Sequence, residues 1–268
     1  MDFNEDYTNY WSLAVKESID GTKIAGPSEI RNYFEGMSIK KSDYVLDLGC
    51  SYGRNYELLA NYGSHIFGID PEQSALQKAK QFGYQELLEG SAEHTNMPNS
   101  FFDFVFSWAV FDVVNQEESL QEANRILKVG GSLLFTGKNN DYHLDDELAF
   151  VAEKNAFLKG FPNRFTNLSE MVKGLPQFGF NLNHLYLFPR RGDMGLGVFE
   201  EHTGNKSSAF VGYEYLVLCS KSKEISSMQH LTYGKLDAES SKTANYLAQL
   251  SGFSDCHQYF KAIGLDVS

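Results

Sequence analysis

The stretch from Asp43 to Asp70, D-Y-V-L-D-L-G-C-S-Y-G-R-N-Y-E-L-L-A-N-Y-G-S-H-I-F-G-I-D, constrains the fold more than any other part of the chain. Tyr44 to Leu48 is a short apolar run of the kind that forms a strand buried on both faces. Gly49 to Gly53 follows as a tight turn. A helix-period segment comes next, with Tyr56, Leu59 and Tyr62 on one side. A second apolar run, His65 to Ile69, stops at Asp70. The order strand, glycine turn, helix, strand, acid predicts a βαβ unit.

Each residue type has a physical role in such a unit. A glycine lets the backbone pass close to a ligand where a Cβ would collide. The helical N–H groups after the turn have no internal partner. A carboxylate at the end of the second strand only accepts hydrogen bonds, so it suits the two hydroxyls of a ribose. The unit therefore fits a nucleoside-bearing cofactor.

Helix and strand alternate beyond it. Pro71-Glu72 opens a helix with Ala75, Leu76, Ala79 and Phe82 on one face. Gln85 to Leu88 predicts a third strand, Phe101 to Ser107 a fourth and Ser132 to Thr136 a fifth. A helix with Leu120, Ala123 and Ile126 precedes the fifth, and Gly130-Gly131 marks the turn between them. Asn167, with Glu170 three residues on, has the form of a capping box. Leu182 to Phe188 and Ala209 to Ser220 predict a sixth and a seventh strand. About 139–165 and 189–208 stand as insertions, the second long enough to be a functional loop. Residues 221–268 form a polar tail with helical stretches near 244–250 and 257–262. At the other end, 1–42 precede the first strand, and Ile30, Tyr33, Phe34 and Met37 have helical spacing after Pro27.

Asp47-Leu48-Gly49-Cys50-Ser51-Tyr52-Gly53 resembles the first motif of class I S-adenosylmethionine (SAM)-dependent methyltransferases, acid-x-Gly-x-Gly-x-Gly. Asp47, Gly49 and Gly53 match, and Ser51 stands where the middle glycine usually sits. Gly68-Ile69-Asp70 resembles the second motif, whose acid binds the ribose. The approach Pro98 to Asp103 and the turn Leu127-Lys128-Val129-Gly130-Gly131 also match, so the resemblance runs from about 44 to 137. It implies a Rossmann-like, doubly wound sheet of seven mostly parallel strands, ordered 3-2-1-4-5-7-6. The core would be 43–220, behind an N-terminal helical lid, 1–42, and before a C-terminal tail, 221–268.

The cofactor residues that the resemblance implies are Asp47, Gly49, Cys50, Ser51, Gly53, Asp70 and Pro71, with Ser91, Ala92 and Glu93 at the adenine and Ser107 at the methionine end. The family usually has an acid where Ser91 stands. Either Glu93 takes over that contact, or the Ser91 hydroxyl or the Ala92 backbone makes it. Tyr10 and Trp11 in the lid would touch SAM or the acceptor, and Trp108 after the fourth strand would face the methyl group on the substrate side. S-adenosylhomocysteine would be the product.

A net charge of −12 argues against nonspecific nucleic-acid binding and against anionic membrane surfaces. The three cysteines, Cys50, Cys219 and Cys256, have neither disulfide nor zinc spacing. No apolar run reaches ~18–20 residues, and the N-terminus has no basic or apolar signal region, so a cytoplasmic location is the expectation. The expected acceptor is a small molecule. Asp112, at the end of the fourth strand, and His143, after the fifth, are the candidate general bases, with His184 and His202 behind them. Asp112 has an alternative use as a helix cap. Asp141, Asp145 and Asp146 resemble the acids of metal-dependent relatives, but a charged loop explains them, and no metal is expected. Rival readings are a catalytically silent SAM-binding protein, and aminopropyl transfer on the same fold.

Overall fold

A computed structural model describes residues 39–63, 65–161, 163–204, 209–225 and 236–264. Tyr10, Trp11 and the expected helix after Pro27 lie outside the described residues.

The first half alternates as the sequence predicts. Strand β1 (Tyr44–Leu48) leads through α1 (Tyr56–Ala60) to β2 (His65–Asp70), and α2 (Gln73–Ala79) leads to β3 (Glu86–Glu89). Next come β4 (Phe102–Ser107), α3 (Gln116–Ile126) and β5 (Leu127–Asn139). β1 pairs in parallel with β2 and β4, β2 with β3, and β4 with β5. Such strands are covered on both faces, which is why their sequences are apolar runs rather than alternations. Val45, Leu46, Ile69, Val105 and Phe106 are all buried.

Beyond β5 come β6 (Phe165–Thr166), β7 (Phe180–Phe188), β8 (Glu200–His202), β9 (Glu214–Lys221) and β10 (Asp237–Ala238). The main path is β3-β2-β1-β4-β5-β9-β7-β8. Counting β7 as the sixth long strand and β9 as the seventh, this is the expected 3-2-1-4-5-7-6. β9 runs antiparallel to both β5 and β7. The sheet has more strands than seven: β8 adds an edge to β7, and the short β6 and β10 pair with each other and with the end of β5. The loop 189–208 is thus partly sheet.

β5 begins at Leu127, not at Ser132. Leu127 pairs with Phe102 and Ser132 with Phe104, so four residues, Lys128 to Gly131, bulge opposite one. Gly130 takes φ +85° there. Lys128 folds back from the bulge and binds both oxygens of Asp103 at 2.8 and 2.7 Å, which gives Asp103 a structural role.

α3 is fixed at both ends. The Asn115 side chain accepts from the Glu118 N–H at its start. At its end the ammonium of Lys221, 1% exposed, donates to the carbonyls of Asn124 and Leu127 at 2.6 and 2.7 Å. These are carbonyls a helix leaves without internal partners.

The insertion and the tail fold together. α4 (Glu147–Leu158), α7 (Lys242–Leu250) and α8 (Cys256–Gly264) pack around Ala244, Ala248, Cys256 and Phe260, with Phe150 and Phe157 against them. The remaining helices are α5 (Leu168–Gly174) and the one-turn α6 (Asp193–Leu196). Buried Glu153 of α4 accepts from the Ser241 N–H, the Ser241 hydroxyl and the Tyr142 hydroxyl. The tail is polar outside and apolar on the face it turns to α4.

Candidate active site

The glycine turn is built from left-handed residues. Gly49, Ser51 and Gly53 have φ of +77°, +50° and +86°. A Cβ on Gly49 would lie 2.3 Å from Val110 Cγ2, and one on Gly53 2.5 Å from Phe82 Cδ2, so neither position accepts a side chain. The N–H groups of Gly49 and Cys50 both donate to the Ile69 carbonyl, at 2.8 and 3.0 Å, which straps the turn to the end of β2. Ser51 has the backbone conformation of the glycine it replaces, at a cost of about 1 kcal/mol. Its N–H donates to Asp70 Oδ2 at 2.9 Å, which offsets part of that cost.

Asp70 is gripped from two sides. Oδ2 accepts from Ser51, and Oδ1 accepts from the Glu72 N–H at 2.9 Å. Burial pushes its carboxyl up to about 6, against the two N–H donors that favour the charge. An ionised carboxylate has about four lone-pair sites. Two remain for ribose hydroxyls, so this residue fits the cofactor contact the second motif implies. Pro71 leads from it into the start of α2.

Asp47 is fully buried. Its Oδ2 accepts from the Tyr84 hydroxyl at 2.7 Å, while Oδ1 has no partner. Burial pushes this carboxyl too up to about 6. Cys50 is sealed in, and burial drives its thiol far above the ordinary range, so it serves as backbone and filler rather than as a nucleophile.

Ser91, Ala92 and Glu93 form a turn closed by Ser91–His94 backbone bonds of 3.2 Å in both directions. The Ser91 hydroxyl accepts from the His94 N–H, and Glu93 Oε1 accepts from the Asn115 N–H at 2.8 Å. Glu93 thereby pins the start of α3. Ala92 and Ser107 line one apolar hollow with Leu48, Phe111 and Leu120.

At the end of β4, Trp108 is buried and stacked on Phe106 with centroids 6.1 Å apart. Ala109 takes φ +57°, and its N–H donates to the Thr136 hydroxyl at 2.9 Å. Asp112 does not cap α3, because Asn115 does. Its Oδ2 pairs with Lys138 Nζ at 2.9 Å, and Oδ1 is buried without a partner. Burial lowers the Lys138 pKa, but the charge and hydrogen bond of Asp112 together with Tyr213 outweigh it, and the net shift is upward.

The candidate bases are not brought together. His143 lines an open groove of about 480 Å³ with Tyr142, Leu144, Val211, Thr243 and Tyr246, and no glycine-turn residue lines it. His184 bonds to Glu201 at 2.8 Å and lines a separate groove with Lys40, Asp103 and Lys128, at the opposite end of the sheet from the glycine turn. His202 is on the edge strand β8, paired opposite Leu185. The three acids after β5 are dispersed. Asp145 pairs with Arg190, Asp146 caps α4, and Asp141 holds the Gly212 N–H through its carbonyl. Among the described residues no group of three or more His, Cys, Asp or Glu is arranged to hold a metal ion.

Two site residues escaped the sequence reading. Tyr84, just before β3, reaches back to Asp47, and nothing in its local pattern signals that. Arg54, directly after Gly53, sends Nη2 to the Trp108 carbonyl at 3.1 Å and buries Nε without a partner. A cation immediately after the glycine turn was the available signal.

Comparison with known proteins agrees with this geometry. The Methyltransferase domain family matches residues 46–135. An uncharacterised protein of Methanocaldococcus jannaschii is 31% identical over 102 residues, 38% of this chain and 39% of that protein. A ubiquinone biosynthesis O-methyltransferase of Coxiella burnetii is 24% identical over 146 residues, 52% of this chain and 61% of that one. The chain thus spans less than two thirds of the length of these curated relatives. A SAM-dependent methyltransferase of Thermotoga maritima shares the fold with a TM-score of 0.52 at 22% identity, over 73% of this chain and 88% of that one. Among the described residues no helix is long and apolar enough to cross a membrane. Residues 46–135 thus match a methyltransferase domain, and the chain has the Rossmann-like fold of a SAM-dependent methyltransferase.

Proposed function

We propose that this chain transfers a methyl group from SAM to a small-molecule acceptor, with an oxygen or a nitrogen as the receiving atom. The observation that carries the reading is Asp70, fixed by two backbone N–H groups beside the glycine turn and still able to accept from two hydroxyls. The small-molecule acceptor is supported by the net charge of −12 and by likeness to the Coxiella protein named for ubiquinone biosynthesis.

SAM supplies a methyl group that is already activated, with a neutral thioether as its leaving group. The protein's part is placement. The glycine turn lets the backbone approach the cofactor, Asp70 holds the ribose, and the Ser107-Trp108 backbone faces the amino-acid end. Holding an acceptor atom in line with the transferable methyl can contribute up to ~7–11 kcal/mol. Asp112, held by Lys138, offers its unpartnered Oδ1 to a donor group on the acceptor.

Two steps test the reading. Calorimetric titration with SAM should give micromolar binding, about −8 kcal/mol, that collapses in Asp70→Ala. Incubation with a metabolite extract and isotope-labelled SAM should then yield a labelled small molecule by mass spectrometry. Wild-type protein that does not bind SAM would sink the proposal. Tight binding with label on no metabolite would favour the silent reading.

A further inference from the structure

A row of charges lies where the parallel strands end, on the side of the sheet beyond β4. β9 runs antiparallel to β5 and β7, so it begins where those two strands end. Its first residue, Glu214, pairs opposite Lys138 of β5 on one side and Phe188 of β7 on the other. Cross-strand partners place their side chains on the same face of a sheet. The Lys138 ammonium bonds to Asp112 Oδ2 and to Asn163 Oδ1, both at 2.9 Å. Asp112 in turn lies within electrostatic reach of Arg54, directly after the glycine turn. The row therefore leads from the glycine turn through Asp112 and Lys138 to Glu214.

Glu214 differs from the other acids of this edge. Asp70 is gripped by two N–H groups, and Asp112 is committed to Lys138. Glu214 is half-buried, and no salt bridge reaches it among the described residues. The Gly192 N–H donates to its carboxylate, which leaves most of its lone-pair sites open. Burial raises its pKa above the ordinary glutamate range, against Arg191 from the segment after β7 and Lys138 from β5, while Asp112 adds to the rise. A carboxylate so placed takes up a proton near neutral pH more readily than an exposed one.

We propose that Glu214 is the general base of the transfer, taking the proton that the acceptor's hydroxyl or amine loses as it is methylated. This rests on the SAM reading and names the proton's destination within it. Asp112 Oδ1 orients the acceptor, and Glu214 removes the proton. The lone pair freed on the acceptor atom forms the new bond to the methyl carbon, while the pair of the broken S–CH₃ bond stays on sulfur. One sulfonium charge and one carboxylate charge disappear together, and the half-buried position of Glu214 lets the proton pass on to water.

Wild type, Glu214→Gln and Asp112→Asn are titrated calorimetrically with S-adenosylhomocysteine and with sinefungin, which carries an amine where SAM has its methyl group. Glu214→Gln should weaken sinefungin by about 10- to 100-fold and S-adenosylhomocysteine by less than about threefold. In transfer of labelled methyl from saturating SAM to the metabolite extract, it should lower the rate by about 10²–10⁴-fold and remove the acid limb of the wild-type pH profile. A merely structural glutamate would move both ligands together and leave that limb in place. Equal weakening of the two ligands, or a rate within about threefold of wild type, would overturn the assignment. If Glu214→Gln binds neither ligand, wild type decides. Its preference for sinefungin should fall from pH 8 to pH 5, because Asp70 acts on both ligands alike, and the fall should persist in Asp112→Asn. A constant preference would overturn the assignment. Wild type that binds neither ligand would overturn the SAM reading itself, and wild type that binds both but labels no acceptor would overturn methyl transfer and this base with it.

Discussion

Cofactor affinity should fall in mild acid, because the proposed ribose contact, Asp70, is a carboxylate that burial makes easier to protonate. Asp70 titrates near 6 instead of near 3.8. Ribose hydroxyls donate to the ionised form, so binding competes with protonation. At pH 8 nearly all of Asp70 is charged. At pH 5, one unit below its pKa, about a tenth is, so the dissociation constant should rise about tenfold, roughly 1.4 kcal/mol. An ordinary aspartate would stay charged at pH 5 and give a flat profile. The assay is titration with S-adenosylhomocysteine from pH 5 to 8 in wild type, Asp70→Asn and Asp47→Asn. Asp47 also titrates near 6, and the last variant separates its share. Wild-type affinity that is constant down to pH 5 would refute the reasoning, as would an unchanged slope in Asp70→Asn. The sign for ligand-free stability is opposite. The fold binds both protons more tightly than the unfolded chain, so their contribution is fully present below about pH 3.8 and is lost as pH rises through about 6.

Three further outcomes follow from packing. Gly49→Ala should abolish cofactor binding in titration, since the new Cβ meets Val110 at 2.3 Å and the backbone sits at φ +77°. Lys221→Met should cost about 3 kcal/mol in urea unfolding, because it strands two buried carbonyls at the end of α3. Asp112→Asn and Lys138→Met should each cost about 3 kcal/mol, and the double variant clearly less than their sum, because each single change leaves a buried charge alone.

The order of the sheet was legible because β1 and β2 are apolar runs that end at Gly49 and Asp70, and the strands after them alternate with helix-period segments. Local pattern set the site's backbone too: Gly49, Gly53 and Asp70 have the geometry their positions imply. Two kinds of information were not local. The extra length of β5 depends on Lys128 finding Asp103 across the sheet, a pairing that turns an apparent turn into a bulge. Asp112 has the sequence context of a helix cap, yet Asn115, three residues on, caps α3, and Asp112 bonds instead to Lys138, which is 26 positions away. The tail read as polar because its apolar face shows only against α4, and periodicity within one helix does not name its partner.

The distribution of unsatisfied groups separates scaffold from site. In the C-terminal half the buried polar atoms mostly close on one another. Glu153 takes three donors, Asn139 spans the carbonyls of Asp141, Phe210 and Gly212, and Lys221 reaches two carbonyls and Glu224. Seven buried side-chain atoms lack any hydrogen-bond partner among the described residues. Four of them, Asp47 Oδ1, Arg54 Nε, Asn55 Nδ2 and Asp112 Oδ1, flank the glycine turn or lie in the segment after β4. Folded chains satisfy nearly all such groups, so a concentration of exceptions after β1 and β4 is stored demand for a polar ligand. The groups include donors and acceptors, so a ligand with polar groups of both kinds suits them. Binding should therefore stabilise this half of the sheet more than the helices at the C-terminus, and hydrogen exchange with and without S-adenosylhomocysteine would show protection gained around Gly49 to Arg54 while α7 and α8 stay unchanged.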